Sequence, residues 1–301
     1  MLVGILGGVG PAAGVLLHQT LLQHTASGGV DQGHLSVCHL SCSADIANRI
    51  VFLQAVETEE QEQRQRNGQL LPLQSSGSGS EADRSVVRGV ENPAVGMART
   101  FELLRALRTP VVVGVPCVTF HAAPIWREFR RRIETQQPDE EASSSSSKSS
   151  VRCINMLDET ARLLAQVAPR CCKVGVMATT GTRHTRVFHD LLEPLGYEVL
   201  EVSAQTQAEL QDTIENPQWG IKSTAPATSP RCVANFKGYA RQLVARGAVV
   251  LVLGCTEIPF AFGGATTFDG VPLLDPLVAL ARALIREANP LRLKPLETPP
   301  L

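Results

Sequence analysis

The sequence predicts an α/β protein whose two halves each contain a parallel β-sheet. Short runs of β-branched and aliphatic residues alternate with segments of helical periodicity along most of the chain. This alternation is typical of parallel sheets that helices cover on both faces. The pattern occurs once in each half, and the length of 301 residues corresponds to about two domains of ordinary size.

In the first half, VGIL predicts a short buried strand, and the turn GGVGP leads from it into a helix. Pro11 stands at the predicted start of this helix, where its missing N–H is not needed. A second helix begins at Asn92-Pro93, because Asn caps helices well and Pro suits the first helical position. The predicted elements here are strands over 3–6, 35–40 and 111–115, and helices over 12–25 and 92–107.

The second half follows the same plan. Its most apolar segment, AVVLVLG, predicts a fully buried strand, and Gly196 closes a predicted helix. The predicted elements are strands over 173–179, 197–202 and 248–254, and helices near 184–193, 205–214, 231–246 and 276–288.

Two polar segments interrupt this pattern. Residues 54–90 are rich in Gln, Glu, Arg, Ser and Gly, and residues 134–150 contain a run of serines. Both have too few apolar residues to order themselves, so we expect floppy surface insertions. We predict a first domain over 1–133, a linker over 134–150 and a second domain over 151–274, with the helix in 275–301 packing back on the first domain.

The composition argues against several functions. The net charge of −1 and the aromatic content of 4% give no surface that would attract nucleic acid or an anionic membrane. We find neither an apolar run of about 18 residues for a membrane span nor a signal peptide. Eight cysteines are too few for a disulfide scaffold. We therefore expect a cytoplasmic protein with reduced thiols.

The two halves share one motif. VVVGVPCVTF and VVLVLGCTEI each lead from a buried strand into a turn that carries a Cys and, one or two positions later, a Thr. Cys117 and Cys255 therefore follow the carboxyl ends of two parallel strands, the edge where open α/β sheets bind ligands. If the halves face each other, the two sulfur atoms flank one cleft. The alternative is that each Cys is a small buried apolar residue.

Two facing thiols could invert a carbon centre by proton transfer. The thiolate of one removes a proton, and the thiol of the other returns a proton on the opposite face. A free thiol has a pKa of about 8.5, which helix N-termini and cations lower. We expect the turn after Cys255 to present amides that favour the thiolate. His121 could hydrogen-bond near Cys117 and tune it, or could serve the turn structurally.

Five motifs in order, GGVGP, PCVTFH, MATTGT, WGIK and GCTEIP, resemble those of the pyridoxal-phosphate-independent aspartate/glutamate racemase family. The resemblance implies two similar α/β domains related by pseudo-two-fold symmetry, with the active site between them, in a homodimer. It also implies catalysis without a cofactor by two cysteines, which match Cys117 and Cys255, on a small acidic amino acid.

The resemblance assigns further residues to substrate binding. Thr119 and Thr256 would hold the α-carboxylate, and Thr180 would add a polar contact. Arg49 and Lys222 would bind the side-chain carboxylate, since Arg offers a planar fork and Lys a point charge. Without the resemblance, both cations could equally be solvated surface residues.

The sequence departs from this family at two places. Val118 occupies the position after the first Cys where the family has Asn, and Glu215 stands where relatives often have Tyr. Valine cannot donate the hydrogen bonds of that Asn. One alternative is therefore a catalytically weak or silent family member that acts as a binding protein.

A second alternative is an NAD(P)-dependent oxidoreductase. Residues 8–13 fit G-x-G-x-x-A after a strand, and Asp45 could act as the ribose-binding acid. This interpretation leaves the second Cys-Thr turn unused. We expect no metal site, because Cys38 and His39 would point to opposite faces of a strand and no second ligand pair has a zinc spacing.

Overall fold

A computed structural model describes residues 1–68, 85–135, 151–168 and 173–296. The strands are β1 Leu2–Gly7, β2 Val37–Ser41, β3 Val86–Val87, β4 Val90–Glu91, β5 Val111–Gly114, β6 Val151–Ile154, β7 Lys173–Met177, β8 Glu198–Glu201, β9 Val250–Leu253, β10 Thr267–Phe268 and β11 Val271–Leu274. The helices are α1 Pro11–His24, α2 Arg49–Gly68, α3 Pro93–Arg105, α4 Ala123–Thr135, α5 Met156–Val167, α6 Thr180–His184, α7 Val187–Leu192, α8 Ala204–Glu215, α9 Ile221–Thr224, α10 Pro230–Ala245 and α11 Pro276–Ala288.

Two main sheets organise the chain. The first has the strand order β2-β1-β5-β6 and is parallel throughout. The second has the order β10-β11-β9-β7-β8, in which only β10 is antiparallel to its neighbour. The predicted α/β class with parallel sheets in both halves is therefore confirmed.

The central strands explain the position of the two Cys turns. All residues of β5 and of β9 are buried, as their continuous apolar sequences require in a sheet covered on both faces. Both strands lie inside their sheets, flanked on each side by a parallel neighbour. Each Cys turn consequently starts from a strand that packing holds on all sides.

Several predicted helices form with the expected ends. Asn92 accepts a hydrogen bond from the Ala94 N–H at 2.9 Å and caps α3, and α11 covers 276–288 as predicted. One face of α11 is buried against α1, α5 and β5. Its Leu280 leaves no space for a Cβ at position 114, where the nearest Leu280 atom would lie 2.9 Å away, so only glycine fits there.

The expected floppy insertion over 54–90 is wrong for its first part. Residues 54–68 belong to α2, because Phe52, Leu53 and Val56 lie on one helical face and are buried. Ion pairs one turn apart, such as Arg64 with Glu60, support the polar remainder of the helix. Residues 85–91 include the small antiparallel pair β3-β4. The parts over 69–84 and 136–150 lie outside the described residues.

The pairing of β6 corrects the predicted start of the second half. The sequence predicts that the second domain starts at residue 151, but β6 is hydrogen-bonded to β5 in the first sheet, with Val113 opposite Cys153. The following helix, α5, packs against α11. The short strand β6 follows directly on a polar segment, and its pairing with β5 depends on the folded arrangement, which local sequence patterns do not reveal. Sequence patterning also missed α4 and α5.

Candidate active site

Hydrogen bonds of His121 stabilise the backbone of the Cys117 turn. Cys117 is 5% exposed, and its carbonyl oxygen accepts a hydrogen bond from His121 Nδ1 at 2.8 Å. His121 Nε2 accepts from the Met156 N–H at 3.3 Å, so Nδ1 carries the ring hydrogen. Burial lowers the pKa of His121 to about 4. Of the two roles considered for His121, these contacts favour the structural one: a neutral ring bridges two buried backbone groups.

The Cys255 turn places a carboxylate beside the thiol. Cys255 Sγ donates to Glu257 Oε2 at 3.0 Å, and the Thr256 hydroxyl donates to the same oxygen at 3.1 Å. Burial raises the pKa of Cys255 well above its usual value, and the Glu257 charge raises it further, while Lys222 opposes the rise. The Glu257 backbone amide lowers this pKa, as expected for the turn, but burial and the Glu257 charge outweigh it, so the net shift favours the thiol.

Arg49 interacts electrostatically with residues of both Cys turns. It opens α2, where Asn48 Oδ1 accepts from the Ile50 N–H at 2.9 Å. Negative charge at Cys117 raises the pKa of Arg49 most; burial lowers it, and Cys255 and Glu257 raise it further. The guanidinium thus lies within electrostatic reach of both sulfur atoms. Its Nε is buried and has no hydrogen-bond partner among the described residues.

A chain of threonine hydroxyls links the two halves. Thr119 Oγ1, in the Cys117 turn, lies 2.9 Å from Thr182 Oγ1, which lies 3.0 Å from Thr179 Oγ1. Thr119, Thr179 and Thr182 are all buried. Thr180 is half-buried, and its hydroxyl accepts from Gln207 Nε2 at 3.4 Å. Sequence reasoning missed Thr179 and Thr182, although both lie in the MATTGT motif that it singled out.

Lys222 is paired rather than free. Its Nζ donates to Glu215 Oε1 at 2.9 Å, and Gln211 Nε2 donates to Glu215 Oε2 at 2.6 Å. Gln211 in turn accepts from the Thr180 N–H at 2.8 Å. Thr180 and Glu215 also line a cavity of about 790 Å³ between α2 and the second half. Both sequence-predicted cations, Arg49 and Lys222, act electrostatically on Glu215.

Sequence reasoning also missed Glu257. The residue stands two positions after Cys255 in GCTEI, and a carboxylic acid so close to a candidate catalytic thiol was the available signal. Glu257 also approaches the glycine turn of the first half, because a Cβ built on Gly10 would lie 3.5 Å from Glu257 Oε1. A carboxylate beside this turn would repel the pyrophosphate of a dinucleotide. This contact argues against the oxidoreductase alternative.

Val118 is 3% exposed and belongs to the main apolar core, which includes residues of both halves. Among the described residues, no group of three or more His, Cys, Asp and Glu side chains could hold a metal ion. In the same part of the chain, no helix is long and apolar enough to cross a membrane.

Part of the chain is similar to a known family. Residues 141–284 match the model of the Asp/Glu/Hydantoin racemase family. The chain is 35% identical over 125 residues to a glutamate racemase of Pseudomonas putida and 36% identical over 124 residues to one of Ectopseudomonas mendocina. These matches cover 40% of this chain and only 43% and 44% of the two relatives.

Solved structures resemble the whole fold. The aspartate racemase of Picrophilus torridus superposes with a TM-score of 0.64 at 19% identity, covering 95% of this chain and 94% of that one. A putative Asp/Glu racemase of Yersinia pestis gives 0.61 at 16% identity, over 95% and 98%. At these identities the likeness concerns the fold. The family match over residues 141–284 agrees with the resemblance that the motifs predicted.

Proposed function

We propose that this chain, which carries an Asp/Glu/hydantoin racemase domain, is an amino-acid racemase that interconverts the L and D forms of an acidic amino acid, aspartate ahead of glutamate. One observation carries the proposal: the Arg49 guanidinium interacts with both Cys117 and Cys255, and its Nε has no partner among the described residues. A substrate carboxylate would supply that partner, and it would bring the substrate between two thiols from different halves.

The reaction needs two proton transfers on opposite faces of the α-carbon. The Cys117 thiolate takes the α-proton, the electron pair of the C–H bond delocalises into the substrate carboxylate, and the Cys255 thiol returns a proton to the other face. Cys117 is then a thiol and Cys255 a thiolate, and the opposite enantiomer is used by the reverse transfer. The proton that Cys255 shares with Glu257 Oε2 at 3.0 Å supports its role as the acid.

The binding roles follow from the charges and hydroxyls around the thiols. We assign the α-carboxylate to the hydroxyls of Thr119 and Thr256, with Thr180 nearby, and the side-chain carboxylate to Arg49 and Lys222. Positive charge near the substrate also stabilises the negative charge that develops when the α-proton leaves. None of these roles requires a group beyond the side chains of this chain. A homodimer in the cytoplasm completes the proposal, and sedimentation velocity tests the dimer.

Proton exchange tests this proposal directly. We expect the protein to exchange the α-proton of L- and D-aspartate in deuterated water, as followed by NMR. Cys117→Ser and Cys255→Ser should each reduce racemisation by about 100-fold or more. Cys153→Ser is the matched control, because this free thiol lies on β6 at the edge of the first sheet.

Two results would contradict the scheme. Full α-proton exchange by Cys117→Ser would show that Cys117 is not the first base. Absence of exchange with every acidic amino acid would favour the silent binding protein, for which Val118 is the motivating residue.

A further inference from the structure

The cation assigned to the side-chain carboxylate already has an anionic partner. Lys222 Nζ lies 2.9 Å from Glu215 Oε1, and the second oxygen of Glu215 accepts from Gln211. Gln211 is fixed in turn by the backbone N–H of Thr180. Both oxygens of Glu215 are therefore engaged, and the network connects α6, α8 and α9.

Glu215 is negatively charged at neutral pH. Burial alone would raise its pKa, but the hydrogen bond and charge of Lys222, the hydrogen bond of Gln211 and the charge of Arg49 bring the pKa below its usual value. Two cations, Arg49 and Lys222, thus face Glu215. Glu257 also acts electrostatically on both cations. A substrate with a side-chain carboxylate would meet the charge of Glu215, and like charges at close range repel.

A side-chain amide would fit the same group differently. Its carbonyl oxygen can accept from Lys222, and its NH₂ group can donate to the Glu215 carboxylate. The pair is reachable from solvent, since the Lys222 and Glu215 side chains are 29% and 45% exposed, and Glu215 borders the 790 Å³ cavity.

Building on the proposed function, we propose that Glu215 is a specificity-determining residue that competes with the substrate's side-chain carboxylate for Lys222. The site then binds an acidic amino acid and its amide with similar affinity. A neutral residue at position 215 would shift the preference toward the acid.

Calorimetric titration of L-aspartate and L-asparagine into the full chain tests this inference independently of turnover. We expect the two Kd values of the unmodified protein to lie within about fivefold of each other. Glu215→Gln should shift their ratio toward aspartate by about fivefold, the upper range for a solvent-exposed ion pair. Glu209→Gln is the matched control, an exposed acid on the same helix, and should leave the ratio unchanged.

A second variant separates charge from folding. Adding Lys222→Gln to Glu215→Gln should return the ratio toward the original value, because the cation that the acid would use is gone. An unchanged ratio in Glu215→Gln, or binding of neither ligand, would overturn the inference. Exchange of the α-proton in deuterated water, measured on the same samples, reports on the racemase proposal separately. A shifted ratio without exchange would support the role of Glu215 and contradict the racemase.

Discussion

Cys117 and Cys255 follow equivalent strands of the two halves, yet their surroundings differ. The Cys117 turn is held by a neutral histidine that binds the backbone carbonyl of the cysteine, and the side chain acts on a guanidinium. The Cys255 side chain instead donates to a carboxylate at 3.0 Å. Arg49 acts electrostatically on both sulfur atoms, so the difference between the two turns is the carboxylate beside Cys255.

This difference bears on the Cys255 thiol. Burial and then the Glu257 charge raise the pKa of Cys255, which suits the acid of the proposed scheme, in which Cys117 is the first base. An active site built from two similar halves can therefore divide acid and base roles through neighbouring residues alone. Because the two enantiomers have equal free energy, kcat/KM is the same in both directions, and we expect the difference to appear in the two kcat values at saturating substrate.

The largest effect that we predict concerns the two hydrogen bonds that His121 makes beside Cys117. His121→Phe removes the bonds to the Cys117 carbonyl and the Met156 N–H, and two buried backbone groups lose their partners. We expect a loss of about 3 kcal/mol in the free energy of unfolding at pH 7. Urea denaturation measures this loss, and a loss below about 1 kcal/mol would show that the bridge is dispensable.

The same variant has a pH signature. The pKa of His121 is about 4 in the folded protein and about 6.5 in the unfolded chain. Its contribution is therefore complete above pH 6.5 and is lost as the pH falls toward 4, by about 3 kcal/mol. Asp275, whose pKa burial raises to about 7, changes stability in the opposite direction. The difference between variant and parent cancels Asp275, and this difference should shrink on acidification.

Arg49 acts electrostatically on both thiols, so its loss should weaken the proton transfers at Cys117 and at Cys255 together. Arg49→Met removes the cation and the free Nε, and we expect kcat/KM for aspartate to fall by about 100-fold, as for a lost charged hydrogen bond. Arg49→Lys should recover only part of the activity, because a point charge replaces a planar fork. Arg66→Met is the control on the same helix, where the side chain is 76% exposed and pairs with Glu62. Loss of α-proton exchange with one enantiomer only would contradict a shared role.

The residues after the two cysteines sharpen the comparison. Thr256 hydrogen-bonds to Glu257, whereas Val118 packs in the apolar core. We expect Val118→Asn to lower the free energy of unfolding by about 2 kcal/mol, since a buried amide without partners is costly. Thermal unfolding and exchange rates should be measured together. A faster exchange without loss of stability would show that the amide reaches the substrate and that Val118 limits turnover.

The sequence predicted the parts of the fold that local patterns encode. Fully apolar strands such as β5 and β9, and α3 with its Asn-Pro start, follow from periodicity and capping. The strand β6 and the helix α2 could not be recognised in this way, because long-range pairing and the buried face of Phe52, Leu53 and Val56 decide them.

The candidate site was predictable to a similar extent. The doubled Cys-Thr turn indicated Cys117 and Cys255, and the family resemblance indicated Arg49 and Lys222. The partners of these residues were not predictable, because Glu215 reaches Lys222, and Glu257 approaches Gly10, only through the folded arrangement. These partners determine the charge of the site.

The smallest predicted effect tests the origin of the asymmetry itself. Glu257→Gln keeps a hydrogen-bond acceptor for Cys255 but removes the negative charge that raises its pKa. We expect the midpoint of Cys255 alkylation by iodoacetamide, resolved by peptide mass spectrometry, to move down by about one pH unit. Because the thiolate then forms at lower pH, we expect the ratio of the two kcat values at saturating L- and D-aspartate to change, while kcat/KM stays equal in the two directions. Alkylation of Cys117 in the same samples is the internal control. Equal movement of both midpoints would mean that Glu257 acts on the whole site, and the two thiols would then owe their difference to burial alone.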